Sequence, residues 1–111
     1  MVNIINIPTL DLIPKRNYRE ECYLRGDVRE IARMLGVTPF ECSNDLGPYL
    51  LVPLIIDDIA VQLVGLVPFI EAQIAVVADR NERAPARIAA KALFEELGYP
   101  VIEFIDPYAD D

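Results

Sequence analysis

The sequence predicts a small single-domain protein of the α/β or α+β class, with a mixed sheet of about 4–5 strands and two helices. Its 111 residues are enough for one domain, which we assign to residues 1–111. A hydrophobic content of 53% with 25% charged residues is typical of a globular chain. Short apolar runs of strand type alternate along the chain with two helical patterns, and this alternation indicates the mixed architecture.

Residues 1–20 predict an extended N-terminal arm. Val2–Ile7 is apolar enough for a strand, and Pro8 and Pro14 favour extended backbone after it. The apolar residues that follow are unsuited to a free linker, and a short basic stretch comes next. We expect the arm to pack on the core or to bind a partner, although a charged loop also explains its basic residues. The candidate partner-binding residues are Leu10, Leu12, Ile13, Lys15, Arg16 and Tyr18.

A short amphipathic helix is predicted after Asp27. Asp27 can cap this helix, and Glu30 occupies the third helical position, as in a capping box. Gly36 supplies the left-handed residue that ends the helix. The apolar residues of the segment recur at helical spacing and define its buried face, namely Val28, Ile31, Ala32 and Leu35.

The apolar stretch Leu50–Val67 is about as long as a membrane span. Pro53 and the charged pair Asp57-Asp58 interrupt it, and charges at the centre of a bilayer are costly. The sequence leaves open whether that pair forms a tight hairpin turn or only a strand end, since it lacks the glycine that such turns favour. We therefore expect no association with a membrane and two buried strands, Tyr49–Ile56 and Ile59–Leu66.

The C-terminal third predicts a βαβ unit over residues 74–105. Ile74–Ala78 and Val101–Ile105 are apolar runs of strand type. Between them lies a predicted helix, Pro85–Leu97, which Gly98 and the following residues end. A strand–helix–strand connection of this kind is normally right-handed and leaves its two strands parallel.

Aspartates stand at the predicted strand ends. Asp79 closes the first strand of the βαβ unit and Asp106 closes the second, so we expect both at one edge of the sheet. Asp57 or Asp58 joins them if the strand before that pair runs in the same direction. Such carboxylates could hold Mg²⁺, which prefers oxygen ligands. The alternative is structural, because aspartate at a strand end or helix cap accepts hydrogen bonds from local amides.

The segment 74–104 resembles three families that contain such a unit. Its Leu-Gly-Tyr-x-Val passage, together with Asp79 at a strand end, resembles the opening of response-regulator receiver domains. Asp79-Arg80-Asn81 resembles the Asp-x-Asp strand of Toprim domains, although Asn81 replaces the second aspartate and an arginine precedes Gly26 where that family has its catalytic glutamate. A similar βαβ unit occurs in class II synthetase anticodon-binding domains. Because the same segment resembles three families with unrelated functions, the resemblance supports a βαβ unit but none of the three functions.

Composition excludes or disfavours several chemistries. The sequence has no histidine, which excludes Ser–His and Cys–His dyads and removes the usual zinc and haem ligands. Its 18 acidic and 10 basic residues give a net charge of −8, which disfavours nucleic acid as a partner. Cys22 and Cys42 are predicted to be reduced thiols, with a mutual disulfide or a reactive thiol as alternatives. The N-terminus lacks the pattern of a signal peptide, so we expect a cytoplasmic location.

Two functions remain open for this sequence. The first is a non-catalytic protein–protein interaction module, a small acidic subunit, inhibitor or assembly component that binds another protein or itself and needs no cofactor. The second is a Mg²⁺-dependent phosphoryl-transfer or phosphate-binding domain built on Asp57, Asp58, Asp79 and Asp106. The lack of catalytic side chains, the acid excess and the apolar arm favour the first.

Overall fold

The structure of the protein, a computed structural model, describes residues 2–104. Two helices and a sheet of seven strands form this part of the chain. The helices are α1 (Val28–Leu35) and α2 (Arg83–Glu96). The strands are β1 (Ile4–Asn6), β2 (Tyr18–Arg25), β3 (Phe40–Asn44), β4 (Gly47–Ile56), β5 (Ile59–Leu66), β6 (Gln73–Asp79) and β7 (Glu103–Phe104).

The strands pair in the order β1-β4-β5-β6-β2-β7, and every pairing is antiparallel. β3 pairs with the first half of β4, on the edge whose second half pairs with β1. The fold class is therefore α+β. The strand count exceeds the expected 4–5 because β2 and β3 were not predicted. In β2 a bulge between Glu20 and Cys22 breaks the alternation of buried and exposed positions on which prediction depends.

The expected pair of adjacent parallel strands at the C-terminus is not confirmed. The chain does run from β6 through α2 to β7, but β2 lies between these two strands and pairs antiparallel with both. β6 and β7 therefore point in the same direction without being neighbours. The unpredicted β2 occupies the position between them. Within the described residues β7 comprises Glu103–Phe104, whereas the prediction extended to Ile105.

Both helices cover the same face of the sheet. α1 packs on β4 and β5, while α2 crosses β5, β6 and β2. On α2 the side chains of Leu93 and Phe94 are fully buried, as are Val28 and Ile31 on α1. Burying one such side chain stabilises the fold by roughly 1.5–3 kcal/mol. Within residues 2–104, no helix is long and apolar enough to cross a membrane.

The predicted cap and stop of α1 are found in the structure, which also decides the open question of the Asp57-Asp58 pair. Asp27 caps α1 by accepting the Arg29 amide at 2.9 Å, and Gly36 ends the helix at φ 74°. α2 begins at Arg83, two residues earlier than predicted. Asp57 and Asp58 form the turn of the β4–β5 hairpin, with φ 49° and 71°. Aspartate tolerates this left-handed backbone better than most residues, so the hairpin forms without a glycine.

Neither α1 nor α2 lies on the other face of the sheet, and the arm crosses it. The arm was predicted over residues 1–20, but part of each end of that range belongs to a strand, β1 and β2 respectively. In the structure the arm is therefore residues 8–17, which run from β1 at one side of the sheet to β2 near the other. Ile7 donates to the Pro53 carbonyl at 3.2 Å, and the Tyr18 hydroxyl donates to the Pro14 carbonyl. Tyr18 on β2 pairs directly with Asp79 on β6, so their side chains lie on the same face of the sheet. Alternation along β6 places Asp79, and therefore Tyr18, on the face away from the helices. We call this side the open face.

Candidate functional site

The open face contains a groove of about 710 Å³. Its floor consists of alternate residues from three neighbouring strands, Val64 on β5, Ala75 and Val77 on β6, and Tyr23 on β2. These residues point away from the helices because side chains alternate along a strand. Cavities of 300–1,000 Å³ are typical of binding sites. The remaining lining residues are Glu20, Asn44, Leu46, Tyr49, Gln62, Leu66, Pro68, Phe69 and Gln73.

The groove is mainly apolar, with polar groups around its margin. Gln62 and Gln73 contribute side-chain amides, and Glu20 is the one charged residue among the described residues that line it. At one end the side chain of Leu46 is 76% exposed in the β3–β4 turn, and that of Phe69 is 45% exposed after β5. The groove therefore presents an apolar surface, with a single carboxylate, to solvent.

The arm carries two exposed leucines. Leu10 is 46% and Leu12 is 58% exposed, and both lie on a single 3-10 turn. The turn is held by two backbone hydrogen bonds, from Leu12 to Thr9 and from Ile13 to Leu10, each 3.2 Å long. Ile13 is half-buried. The structure thus separates the predicted partner-binding residues into two exposed leucines and an isoleucine that helps to fix the arm.

The basic part of the arm is partly used within the protein. Arg16 lies 3.9 Å from the Asp79 carboxylate, while Lys15 is exposed. Tyr18 is half-buried and anchors the arm through its bond to Pro14. Burial raises the pKa of Tyr18, and the nearby Gln62 side chain opposes that rise. Tyr18 therefore acts as an anchor of the arm, whereas Lys15 is available for contact.

The strand-end aspartates Asp57 and Asp79 lie at one end of the sheet, and each accepts a backbone hydrogen bond from a different part of the chain. β4 and β6 run in the same direction on either side of β5, so their ends are about 10 Å apart. The Asp57 carboxylate accepts the Asn3 amide at 2.9 Å, and the Asp79 carboxylate accepts the Asn81 amide at 2.9 Å. Asp58 is exposed in the turn. The fourth candidate, Asp106, lies outside the described residues.

No metal-binding cluster is formed by the residues that the structure describes. Between positions 2 and 104, no group of three or more Cys, Asp or Glu side chains converges closely enough to hold an ion. Asp57 accepts the Asn3 amide from before β1 and Asp79 accepts the Asn81 amide two residues on, which are bonds of the kind that a structural role predicts.

The comparisons with known proteins add no candidate. No protein-family model, curated protein or solved structure matches the chain. Any proposal of function therefore rests on the geometry of this chain. The three family resemblances of segment 74–104 receive no support from these comparisons.

The basic residues of α2 are engaged in ion pairs. Arg83 donates to the nearly buried Glu21 carboxylate at 2.5 Å, and Arg87 donates to the Glu21 carbonyl at 3.1 Å. Glu103 on β7 pairs with Arg87 at 3.6 Å and with Lys91. These contacts hold α2 against the bulge of β2 and against β7. The helix start is therefore a structural junction.

Both cysteines are free thiols. Cys22 is buried beneath α2, and burial raises the pKa of its thiol, with the Glu103 carboxylate adding to the rise. Cys42 is half-buried on the open face, opposite Tyr49. The raised pKa of the Cys22 thiol keeps it protonated and unreactive at neutral pH.

The groove residues were not identified from the sequence. Each is ordinary at its own position, and their proximity depends on β2 lying beside β6, which the bulge concealed. The sequence contained one usable indication. Gln62 within β5 and Gln73 at the start of β6 are polar residues in otherwise mainly apolar strands, and they lie on the same face as Val77. Such residues indicate that one side of a strand is not part of the core.

Proposed function

We propose that this protein is a non-catalytic protein–protein interaction module, a small acidic subunit, inhibitor or assembly component. The observation that carries this proposal is the pair Leu10 and Leu12, about half exposed on a 3-10 turn within an arm that is fixed at both ends. If the leucines were on a free tail, ordering that tail on binding would reduce the net free energy of binding. A turn that is already held in place has lost this conformational freedom during folding. The arm is thus preorganised for contact with another protein surface.

The chemistry of the arm indicates the surface that it binds. Leu10 and Leu12 are followed by Lys15 and Arg16, all four at least partly exposed. A matching partner has an apolar cleft bordered by carboxylates. Full burial of a leucine contributes roughly 1.5–3 kcal/mol, and the charges mainly select the partner and the orientation.

The proposal includes a cytoplasmic location. Cys22 and Cys42 are unpaired, and reduced thiols are usual in compartments kept reducing by glutathione.

The Mg²⁺-dependent alternative has less support from the geometry. The carboxylates of Asp57 and Asp79 already accept backbone hydrogen bonds, and the ends of their strands are about 10 Å apart. Ion binding at this sheet edge would require side chains from strand ends this far apart to converge on one ion. We therefore favour the interaction module over the enzyme.

Photo-cross-linking in the native host cells tests the proposal. A photoreactive residue replaces Leu10 or Leu12, and the matched control carries it at Ile88, which is 68% exposed on α2. We expect a discrete adduct from positions 10 and 12 that position 88 does not give. The mass of the adduct shows whether the partner is another protein or a second copy. Identical patterns from all three positions would contradict the proposal.

A further inference from the structure

We propose that the groove on the open face is the docking site for the arm of a second copy of this chain, so that two copies form a reciprocal dimer. This inference rests on the proposed interaction function and names its partner. The occupant of each groove is the turn that carries Leu10 and Leu12, and the occupied surface is the floor formed by Val64, Ala75 and Val77.

The apolar surfaces of the arm and the groove are complementary in kind. The arm projects leucine side chains from a turn, and the groove is a concave apolar surface of about 710 Å³. Tyr23 and Tyr49 add aromatic rings to its lining. A concave site of this size accepts a few apolar side chains from a second chain. Leu10 and Leu12 are exposed in the single copy, whereas on the groove floor Val64 and Val77 are half-buried and Ala75 is buried; the dimer would cover what remains accessible.

The charges on the two surfaces are complementary as well. Lys15 is exposed on the arm and forms no ion pair among the described contacts. Glu20 is exposed at the margin of the groove and is likewise unpaired in the described part of the chain. A contact between Lys15 of one copy and Glu20 of the other brings together opposite charges that each copy leaves apart. In an acidic chain such a pair favours one orientation of docking.

The position of the arm makes the contact intermolecular. The arm is fixed by Ile7 at one end and by Tyr18 at the other, and none of the groove-lining residues belongs to it. It therefore leaves its own groove open. Because arm and groove occupy different parts of one face, a two-fold axis parallel to that face, between two copies packed face to face, can place each arm over the other groove. This is the isologous arrangement that most dimers adopt.

The open face is large enough for a stable interface. Six strands at about 4.8 Å spacing span roughly 24 Å, and the protein measures 32 × 27 × 27 Å. A stable interface buries about 800 Å² on each partner, which such a face with its flanking arm can supply.

Complementation between two defective variants tests this arrangement. The arm variant is Leu10→Ser with Leu12→Ser, and the groove variant is Val64→Arg; Glu20→Arg serves as a second groove variant at an exposed position. Ile88→Ser is the control for loss of an exposed apolar side chain on α2. Thermal melting by circular dichroism shows that each variant folds.

Sedimentation velocity then gives the association state of each sample. We expect the wild type and the control to sediment as dimers of twice 12.5 kDa. The arm variant and both groove variants should dimerise at least tenfold more weakly, because each lacks both docking contacts. An equimolar mixture of arm and groove variants retains one intact contact, and it should associate more tightly than either variant alone.

Two results would overturn the dimer. One is a wild type that stays monomeric up to about 1 mM, where even weak association of about 4 kcal/mol is visible. The other is a dimer that the arm variant leaves unchanged or that the mixture fails to restore. If the wild type is monomeric while photo-cross-linking at position 12 captures another protein, the interaction function stands and only the second copy is excluded.

Discussion

The hydroxyl group of Tyr99 lies between Asp27, which caps α1, and Glu30 in the first turn of that helix. It accepts the Asp27 amide at 3.0 Å and donates to the Glu30 carboxylate at 2.8 Å. The sequence predicted a direct capping box between Asp27 and Glu30, whereas in the structure the Tyr99 hydroxyl mediates their contact. The Tyr99 ring also packs edge-on against Phe94, with centroids 5.5 Å apart. One side chain therefore couples the start of α1 to the end of α2.

Replacement of Tyr99 with phenylalanine removes this link and keeps the ring. We expect Tyr99→Phe to lower the free energy of unfolding by about 1–2 kcal/mol, because the Asp27 amide loses its acceptor. Urea denaturation measures the change. Glu30→Gln is the control, since an amide oxygen still accepts from the hydroxyl and the loss should be smaller. Equal stability of Tyr99→Phe and the wild type would show that the link contributes nothing.

Gly65 allows α1 to lie close to the sheet. A Cβ atom at this position would come within 2.8 Å of Val28 Cγ1 and 2.7 Å of Ile70 Cδ1. We expect Gly65→Ala to destabilise the protein by about 1–3 kcal/mol, as overpacked core positions do. Val28→Ala relieves one of the two clashes, so it should cost less in the Gly65→Ala background than in the wild type. Additive effects in this double-mutant cycle would argue against the close approach.

The carboxylate of Glu21 is buried to 3% exposure and depends on Arg83. We expect Arg83→Ala to destabilise the protein by about 1–3 kcal/mol, because it leaves a charge without its partner in a largely water-excluded position. Glu21→Gln removes that charge, so Arg83→Ala should cost much less in its presence. Denaturant titration of the four proteins gives the coupling energy. A coupling energy near zero would mean that the contact is incidental.

Stability is expected to fall in acid. A hydrogen bond from Lys91 lowers the pKa of Glu103 from 4.5, and one from Arg29 lowers that of Asp27 from 3.8. A carboxylate with a lowered pKa in the folded state stabilises the protein above the pKa of the unfolded state. That contribution is lost as the pH falls through the folded value. The free energy of unfolding should therefore be level above about pH 5 and decline below it.

Glu103→Gln isolates one part of this acid dependence. We expect the variant to be less stable than the wild type at neutral pH and to show a shallower decline in acid, because glutamine does not titrate. Glu41→Gln at an exposed position of β3 is the matched control. Melting temperatures measured across the acid range decide the outcome. A decline as steep in Glu103→Gln as in the wild type would assign the dependence to other carboxylates.

Addition of Mg²⁺ separates the interaction module from the enzyme alternative. We expect amide resonances near Asp57 and Asp79 to stay in place, because no cluster of Cys, Asp or Glu side chains that could hold an ion forms among residues 2–104. Ca²⁺ serves as a control for nonspecific binding to an acidic surface. Saturable shifts at both aspartates with Mg²⁺ alone would favour the enzyme.

The sequence predicted elements whose determinants are local. The cap at Asp27 and the stop at Gly36 define α1, and the apolar runs define β4 and β5. β2 was missed because its bulge disrupts the alternation, so the predicted parallel neighbours are separated by a strand. The order of strands in a sheet depends on which strands pair, and the hydrophobic periodicity of the sequence does not determine that.

The candidate site was predictable only in its arm. Leu10 and Leu12 stand out because they are apolar outside any strongly predicted element, and they are exposed in the structure. The groove combines residues from β2, β4, β5 and β6. Its floor exists only when these strands are neighbours, so no single segment carries a signal for it.

A dilution series followed by methyl NMR tests the central claim most directly. The arm-in-groove contact predicts that the methyl resonances of Leu10, Leu12, Val64 and Val77 shift together with one midpoint as the protein is diluted. Ile88, exposed on α2 on the helical side of the sheet, should stay in place. Shifts confined to Ile88 and its neighbours, or no shift at any of these positions, would contradict the account.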